Sequence, residues 1–267
     1  MSEQDRAGRR AVGESFGRAA RSYDAHATLQ LAAARTLLGM LPEMAPALAL
    51  DIGVGTGPVT RALCERLPGT RWLALDIAEP MLREGVARGR FVGQCQPVCA
   101  DALQLPLAAA RANLIWSSFA LQWCDDLPAL AAEIARVLAP GGTFAVCLPV
   151  AGTLDELRAS WAEVDDAPHV NHFYRADDWL AALGDAGLYA DIAHTQQIRE
   201  HYPDVRAIGT RLRATGAHHV QRSVSPGLTS RRRNAALQAA YERRRTDAGL
   251  PLTWQVHYAI FRQPPTE

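Results

Sequence analysis

The sequence predicts an α/β protein: a seven-stranded, mostly parallel sheet with an antiparallel last strand, and a helical cap inserted ahead of that strand. Three observations carry the prediction. Ala47 to Ile52 (A-L-A-L-D-I) and Arg71 to Asp76 (R-W-L-A-L-D) are short apolar runs containing or ending in an acid, each followed by a helical pattern, as strands buried on both faces of a parallel sheet read. The first run leads into alternating glycines, Gly53, Gly55 and Gly57, which permit a tight turn through positive φ. About 55 residues separate the last two strand patterns, where a hairpin loop needs about two to five.

Residues 1–42 form a helical lead. Gly8 to Ala25 reads as one or two helical turns around Phe16, Ala19, Ala20 and Tyr23, and Thr28 to Leu41 as a helix stopped by Pro42. Residues 43–198 form the core. After the first strand, Pro58 suits the first position of the next helix. Beyond the second strand come a helix at Glu79–Arg88, a third strand at Gln94–Cys99 and a fourth at Ala112–Ser117, whose C-terminal end should face the reacting groups. Leu127–Leu138 is an apolar helix, A-P-G-G turns the chain, and Thr143–Pro149 is the fifth strand. Residues 152–174 read as a helix and polar loop contributing to the cap, Arg175–Ala186 as a helix and Gly187–Gln197 as strand six. The cap proper, residues 199–252, carries helices at Pro203–Val220 and Thr229–Gly249; residues 253–267 hold the last strand, Thr253–Arg262, and a tail.

At 267 residues and 48% apolar composition, the chain can bury one full-sized core and an appendage. It has no apolar run of about 18 residues, and M-S-E-Q-D-R is polar without a following signal-length apolar segment, so a cytoplasmic protein without a membrane partner is expected. Five cysteines, an odd number with no C-x-x-C, point to reduced core thiols, with no disulfide and no metal. All 28 basic side chains are arginine. Net charge is zero, yet residues 1–198 carry 16 Arg against 23 acids and residues 199–267 carry 12 Arg against 5. The C-terminal part is therefore a candidate docking surface for an anionic partner. Its arginine-rich helices contain only Tyr202 and Tyr241 as aromatics, which argues against nucleic acid, where stacking rings interleave with cations.

The motif D-I-G-V-G-T-G places an acid before the first glycine, unlike the G-x-G-x-x-G of dinucleotide sites. Asp76, 25 positions after Asp51, can accept both ribose hydroxyls of an adenosine-containing ligand. D-I-G-V-G-T-G followed by L-A-L-D-I-A-E-P-M-L resembles the class I S-adenosylmethionine-dependent methyltransferases, whose fold is Rossmann-like. The resemblance implies S-adenosylmethionine as co-substrate, without a metal. It implies the Gly53–Gly57 loop against the methionine moiety, Asp76 on the ribose, Ile77 beside the adenine and Asp101 at the adenine amino group. Asp51, Thr56, Met81, Ala102 and Ser117 complete the expected cofactor set. Val54 stands where cysteine is usual. F-G-R-A-A-R-S-Y-D-A-H-A-T-L-Q resembles the lead segment of small-molecule methyltransferases, where a tyrosine closes over the cofactor; for Tyr23 ordinary helix packing is the alternative.

The blocks G-T-L-D-E-L-R-A-S-W, P-H-V-N-H-F, R-E-H-Y-P-D-V-R, G-A-H-H-V, P-G-L-T-S-R-R-R, A-Y-E-R-R-R and G-L-P-L-T-W-Q-V-H-Y, with S-F-A-L-Q-W-C, resemble the malonyl-acyl carrier protein O-methyltransferases of biotin synthesis over nearly the whole chain. Ser118 stands where that family more often has asparagine. The resemblance implies methylation of the free carboxylate of a malonyl thioester. Such a carboxylate is ionised near pH 7, so no general base and no catalytic dyad are expected. Positioning candidates are Tyr23, Gln122, His169, Asn171 and His172, with loop packing as the alternative for the two histidines. His218 and His219 read as helix-end caps, and Arg158 and Arg222 as possible carboxylate clamps. The resemblance also brings an acidic acyl carrier protein as partner. Its docking candidates are Arg199, Arg206, Arg211, Arg213, Arg231, Arg232, Arg233, Arg243, Arg244 and Arg245, with a solvated cap face as the alternative for part of them. A carboxyl methyltransferase for a free small acid would share the core and need no basic face; a nucleic-acid-binding methyltransferase is the other competing class.

Overall fold

The computed structural model describes residues 3–215 and 231–266. Its elements are α1 (Glu3–Ala19), α2 (Tyr23–His26), α3 (Thr28–Met40), β1 (Leu48–Ile52), α4 (Thr60–Arg66), β2 (Arg71–Asp76), α5 (Glu79–Ala87), β3 (Cys95–Cys99) and β4 (Ala112–Ser118). There follow a 3-10 turn at Leu121–Trp123, α6 (Leu127–Val137), β5 (Leu138–Pro149), α7 (Asp155–Ala162), α8 (Ala176–Asp185), β6 (Tyr189–Tyr202), α9 (Val205–Ala214), α10 (Arg231–Glu242) and β7 (Leu250–Arg262). The strands form one sheet in the order β3-β2-β1-β4-β5-β7-β6. Strands β1 to β5 run parallel, and β7 is antiparallel to both of its neighbours, β5 and β6. Among the described residues no helix is long and apolar enough to cross a membrane.

Alternation along the strands sends side chains to two cores. Ala49, Trp72, Leu114, Trp116 and Cys147 meet α3, α4 and the cap on one face. Leu50, Leu75, Ile115, Phe144 and Val146 meet α6 and α8 on the other. Helix α6 shows how the sequence dictates an element: the Asp126 carboxylate accepts from Ala129 N at 3.0 Å as N-cap, and Leu127, Leu130, Ala131, Ile134 and Val137 form its buried stripe. Because β1 sits between β2 and β4, chain connections leave in opposite directions there, opening a crevice at the strands' C-terminal ends.

Several boundaries differ from the sequence expectation, each for a physical reason. The lead is a 17-residue helix, α1, instead of one or two turns. Its glycines lower helix propensity, but Gly13 and Gly17 are where the helix presses on Ile77 and Pro80, with 3.5 Å and 3.1 Å left for an added Cβ, so tertiary packing wins. The helix after the glycine loop starts at Thr60, since turns closed by Gly57 N to Val54 O and Thr60 N to Gly57 O intervene and leave Pro58 outside. A-P-G-G lies within β5 as an irregularity: pairing shifts between Ala112 and Leu114, Gly141 adopts φ 71°, and its N–H donates to Gln263 O at 3.0 Å. Strands β6 and β7 run on to Tyr202 and Leu250, because Leu250, Leu252 and Trp254 are buried under the cap and Trp254 Nε1 donates to Glu200 at 3.0 Å. The polar R-E-H-Y therefore belongs to the sheet. Helix α10 ends at Glu242, short of Gly249, which closes a Thr246–Gly249 bridge at φ 119°. The expected caps His218 and His219, Arg222 and the end of the Pro203–Val220 helix lie outside the described residues.

Candidate functional site

A narrow cleft of about 100 Å³ opens at the C-terminal ends of β1 and β2. Gly53, Gly55, Asp76, Ile77, Met81, Asp101, Ala102 and Tyr23, all expected cofactor residues, line it together. Both oxygens of Asp76 accept backbone N–H groups, from Gly55 and Ala78, each at 2.8 Å. Burial nevertheless raises the Asp76 carboxyl to about 6 against those hydrogen bonds. Behind it, burial and then the Asp76 charge push Asp51 to about 8. The three glycines are not equivalent. A Cβ at Gly53 would lie 1.9 Å from Ala120 Cβ, and one at Gly57 2.9 Å from Phe91, so both are needed for protein packing. At Gly55, φ is 59° and no protein atom lies within 4 Å of an added Cβ, so only here does the missing side chain leave a cradle open to a ligand.

Four expected cofactor residues stand apart from the cleft. Asp51 is buried behind Asp76; Ser117 is fully buried, donating to Ile52 O at 2.8 Å; Gly57 turns toward Phe91; and Thr56 donates to Asp24 at 2.5 Å. Asp24 also accepts from Arg88 at 2.6 Å and Arg90 at 2.8 Å. This clasp ties α2, with Tyr23, to the glycine loop and α5. From α1, Arg9 crosses to Asp101 at 2.7 Å and is itself buried. Arg9, Val12, Phe16, Phe119, Trp123 and Cys124 line the cleft without having been singled out for it in the sequence. Nothing local announces that α1 lies over the crevice; the spacing of Val12 and Phe16 marks only an apolar helix face.

A second cavity of about 1000 Å³ lies beside the cleft, roofed by α7, α9, α10 and the loop before α8. Leu154, Leu157, Val170, Phe173, Ile208, Leu212, Leu237 and Trp254 make its apolar wall. Phe16, Tyr23, Phe119 and Trp123 line both spaces and so form the wall between them. Phe16 contacts Trp123 edge-on at 5.3 Å and Tyr23 at 6.3 Å. Phe119 is held at φ 53°, its N–H donating to Cys147 O at 2.8 Å and its carbonyl accepting from Gln122 Nε2 at 2.8 Å. A non-glycine residue in that region stores strain, and such residues cluster at functional sites.

Of the positioning candidates, Tyr23, Gln122, His169 and Asn171 line the large cavity. His169 is committed on both sides, stacked on Trp161 at 3.7 Å and bonded to Asp165 at 2.7 Å. Arg233 bonds the other Asp165 oxygen; burial opposes the effect, but Arg233 and His169 hold that carboxyl at about 2. His172 is exposed against Tyr174 and lies off the cavity. Arg158 donates to Asn171 O at 3.1 Å and is likewise off the cavity. Gln30, which sequence reading passed over, lines the cavity beside Tyr23.

A methyltransferase domain family matches residues 50–146. A malonyl-acyl carrier protein O-methyltransferase of Alcanivorax borkumensis is 48% identical over 254 residues, covering 94% of this chain and 86% of the relative. One from Serratia marcescens is 39% identical, covering 97% and 98%. The chain belongs to the malonyl-acyl carrier protein O-methyltransferase family. Among solved structures, the YcgJ protein of Bacillus subtilis superposes with a TM-score of 0.63 at 16% identity, over 89% of this chain and all of that one. A geranyl diphosphate C-methyltransferase of Streptomyces coelicolor, solved with S-adenosyl-L-homocysteine, gives 0.55 at 17% identity, over 88% and 79%. The Rossmann-like methyltransferase fold is shared with both.

The ten arginines expected to dock a carrier separate by environment. Arg243 and Arg244 bond Glu163, Arg245 bonds Glu242 and Pro203 O, and Arg233 bonds Asp165; these tie α10 to α7, to the loop after it and to the start of α9. As a free basic face they are largely spent. Arg199 reaches Thr253 at 3.2 Å. Arg206 and Arg213 are exposed and line the large cavity, as does Arg18. Arg231 and Arg232 are exposed at the start of α10, with no ion pair among the described residues. Arg211 is mostly buried.

Proposed function

We propose that the protein transfers a methyl group from S-adenosylmethionine to the free carboxylate of a malonyl thioester on acyl carrier protein, giving the methyl ester used in biotin synthesis. The observation that carries this reading is the shared aromatic wall: a cleft built for an adenosine-type ligand and a large apolar cavity touch only across Phe16, Tyr23, Phe119 and Trp123. S-adenosylmethionine supplies an electrophilic methyl on a positively charged sulfur. Asp76 accepts the ribose hydroxyls, Ile77 and Met81 flank the adenine, Asp101 faces its amino group, and open Gly55 admits the methionine moiety. The clasp at Asp24 holds Tyr23 over the junction.

The acceptor needs no base, since its carboxylate is ionised well below pH 7. Tyr23 agrees with that chemistry: burial raises its phenol far above the ordinary range, so it stays a neutral hydrogen-bond donor. Charge is annihilated as oxygen meets methyl, so a water-poor enclosure favours the step, and holding oxygen, carbon and sulfur in line supplies the rest. The large cavity exceeds what malonate alone fills and suits the tethering arm of a carrier. Arg206 and Arg213 at its wall, with Arg199, Arg231 and Arg232, are the arginines left for an acidic carrier surface. The test is transfer of a labelled methyl to malonyl-carrier protein but not to acetyl-carrier protein; equal labelling of both, or of neither, overturns the reading.

A further inference from the structure

Arg211 is the exception among the buried charges. Its side chain is 11% exposed, and its Nη1 is shut off from solvent with no hydrogen-bond partner among the described residues. Its nearest carboxylate, Glu200, lies at 3.8 Å, beyond hydrogen-bond range, and bonds Trp254 Nε1 at 3.0 Å and the Tyr202 hydroxyl at 3.1 Å through its other oxygen. The remaining contacts of Arg211 are the Tyr202 phenol and, at 3.5 Å, Thr28 Oγ1. By contrast, buried Arg9 bonds Asp101 at 2.7 Å. Glu200 balances the Arg211 charge at ion-pair distance, but a buried guanidinium with one nitrogen unsatisfied is still costly, and such a cost persists in a fold where something else uses it.

What lies around Arg211 says what that is. Its neighbours on α9, Ile208 and Leu212, line the large cavity. Two positions beyond Thr28, Gln30 also lines the cavity; its amide makes no hydrogen bond among the described residues, and its Oε1 is buried without a partner. Tyr23, at the shared wall, likewise makes no hydrogen bond there, and its hydroxyl feels the Arg211 charge, which opposes the effect of burial. Tyr23 and Gln30, each without a hydrogen-bond partner among the described residues, thus line one cavity, and the Arg211 charge reaches the Tyr23 hydroxyl from α9 outside the cavity wall.

We propose that Tyr23 and Gln30 hold the carboxylate of the acyl group by hydrogen bonds, with Arg211 behind them as the positioning charge that makes this end of the cavity select an anion. The proposal rests on the reading of the protein as a carboxyl methyltransferase and names its acceptor subsite. The exposed Arg206 and Arg213 do not compete for this role, since solvated cations discriminate weakly between a carboxylate and its neutral isostere.

The experiment measures binding of malonyl-pantetheine and of malonamyl-pantetheine, in which an amide replaces the carboxylate, to the full chain saturated with S-adenosylhomocysteine, so that no turnover intervenes. Wild type should prefer the carboxylate by about thirtyfold, as a charge-assisted hydrogen bond allows. Gln30→Leu and Arg211→Gln should each reduce the preference to about fivefold or less, while Arg211→Lys, which keeps the charge, should retain most of it. Melting temperatures identify a variant that has merely lost its packing, and the lysine variant then carries the decision. Absence of a carboxylate preference in wild type, or a wild-type preference in folded Arg211→Gln, overturns the proposal. Because the assay reads binding, failure of methyl transfer to malonyl-carrier protein would sink the reading of function separately.

Discussion

The two spaces on either side of the aromatic wall are built differently. The cleft is made by strand ends and one glycine turn: its polar contacts are backbone N–H groups on Asp76, and its shape depends on Gly55 lacking a side chain. The cavity is made by side chains from helices far apart in sequence, α2, α3, α7, α9 and α10, and its polarity resides in arginines and amides. One substitution in the cleft should therefore act on a single function with large effect, whereas in the cavity effects should be smaller and depend on which neighbour an arginine already holds.

The largest effect is expected at Asp76. Asp76→Ala removes the acceptor proposed for two ribose hydroxyls and should cost about 3 kcal/mol, or a hundredfold or more, in S-adenosylmethionine affinity by calorimetric titration. The stability loss should be smaller than the affinity loss, since relief of a buried carboxyl raised to about 6 offsets the two backbone N–H groups of Gly55 and Ala78 left without an acceptor. Wild-type affinity in this variant would erase the distinction between cleft and cavity.

Next come the glycines. Gly53→Ala combines left-handed strain at φ 77° with a Cβ 1.9 Å from Ala120 Cβ, and should cost about 2–4 kcal/mol in urea unfolding. Gly55→Ala carries the strain alone, about 1–2 kcal/mol, yet should weaken the cofactor more than its stability loss suggests. Equal stability losses would show that Gly55 is a packing glycine like its neighbour.

Stability of the free protein should also fall as pH rises from about 5 to 8. Asp51 at about 8 and Asp76 at about 6 hold protons that the unfolded chain releases near 4, so the folded state binds more protons throughout that window. The urea midpoint should drop with pH, and Asp51→Asn should flatten the slope. A midpoint rising across the window would reverse the sign and refute the burial of these acids.

The smallest effects belong to the cap. Arg231→Glu with Arg232→Glu, which lie off the cavity, should raise KM for malonyl-carrier protein several-fold, in a salt-sensitive way, with little change for malonyl-coenzyme A. Reversing Arg243, Arg244 and Arg245 should instead lower the melting temperature, because Glu163 and Glu242 already hold them. A carrier-specific KM effect from that triplet without a melting shift would return docking to the triplet.

This division also explains what the sequence could be read for. That Asp76, Ile77 and Asp101 share one cleft is legible because strand periodicity and a glycine turn are local, and they fix where strand ends lie. Gly53 and Gly57 look identical to Gly55 in sequence and differ only in what a Cβ would meet, Ala120 and Phe91, which are brought near by the fold. Arg9 and Gln30 were missed because each acts on an element distant in sequence: Arg9 reaches Asp101, and Gln30 faces a wall shared with α9 and α10. The excess of arginine was plain, but its partition into ion-paired and free side chains depends on Glu163, Asp165 and Glu242 lying beside α10.

Methyl donor and acceptor are proposed to meet across the wall of Phe16, Tyr23, Phe119 and Trp123. A crystal structure of the protein with S-adenosylhomocysteine and a non-hydrolysable malonyl-pantetheine tests this most directly. The sulfur should lie in the Gly55 cleft with an acyl carboxylate oxygen within about 5 Å of it through that wall, one S–C bond plus a near-attack gap of about 3–3.5 Å. An acyl group lodged elsewhere in the cap, with its carboxylate turned away from the wall, would contradict it.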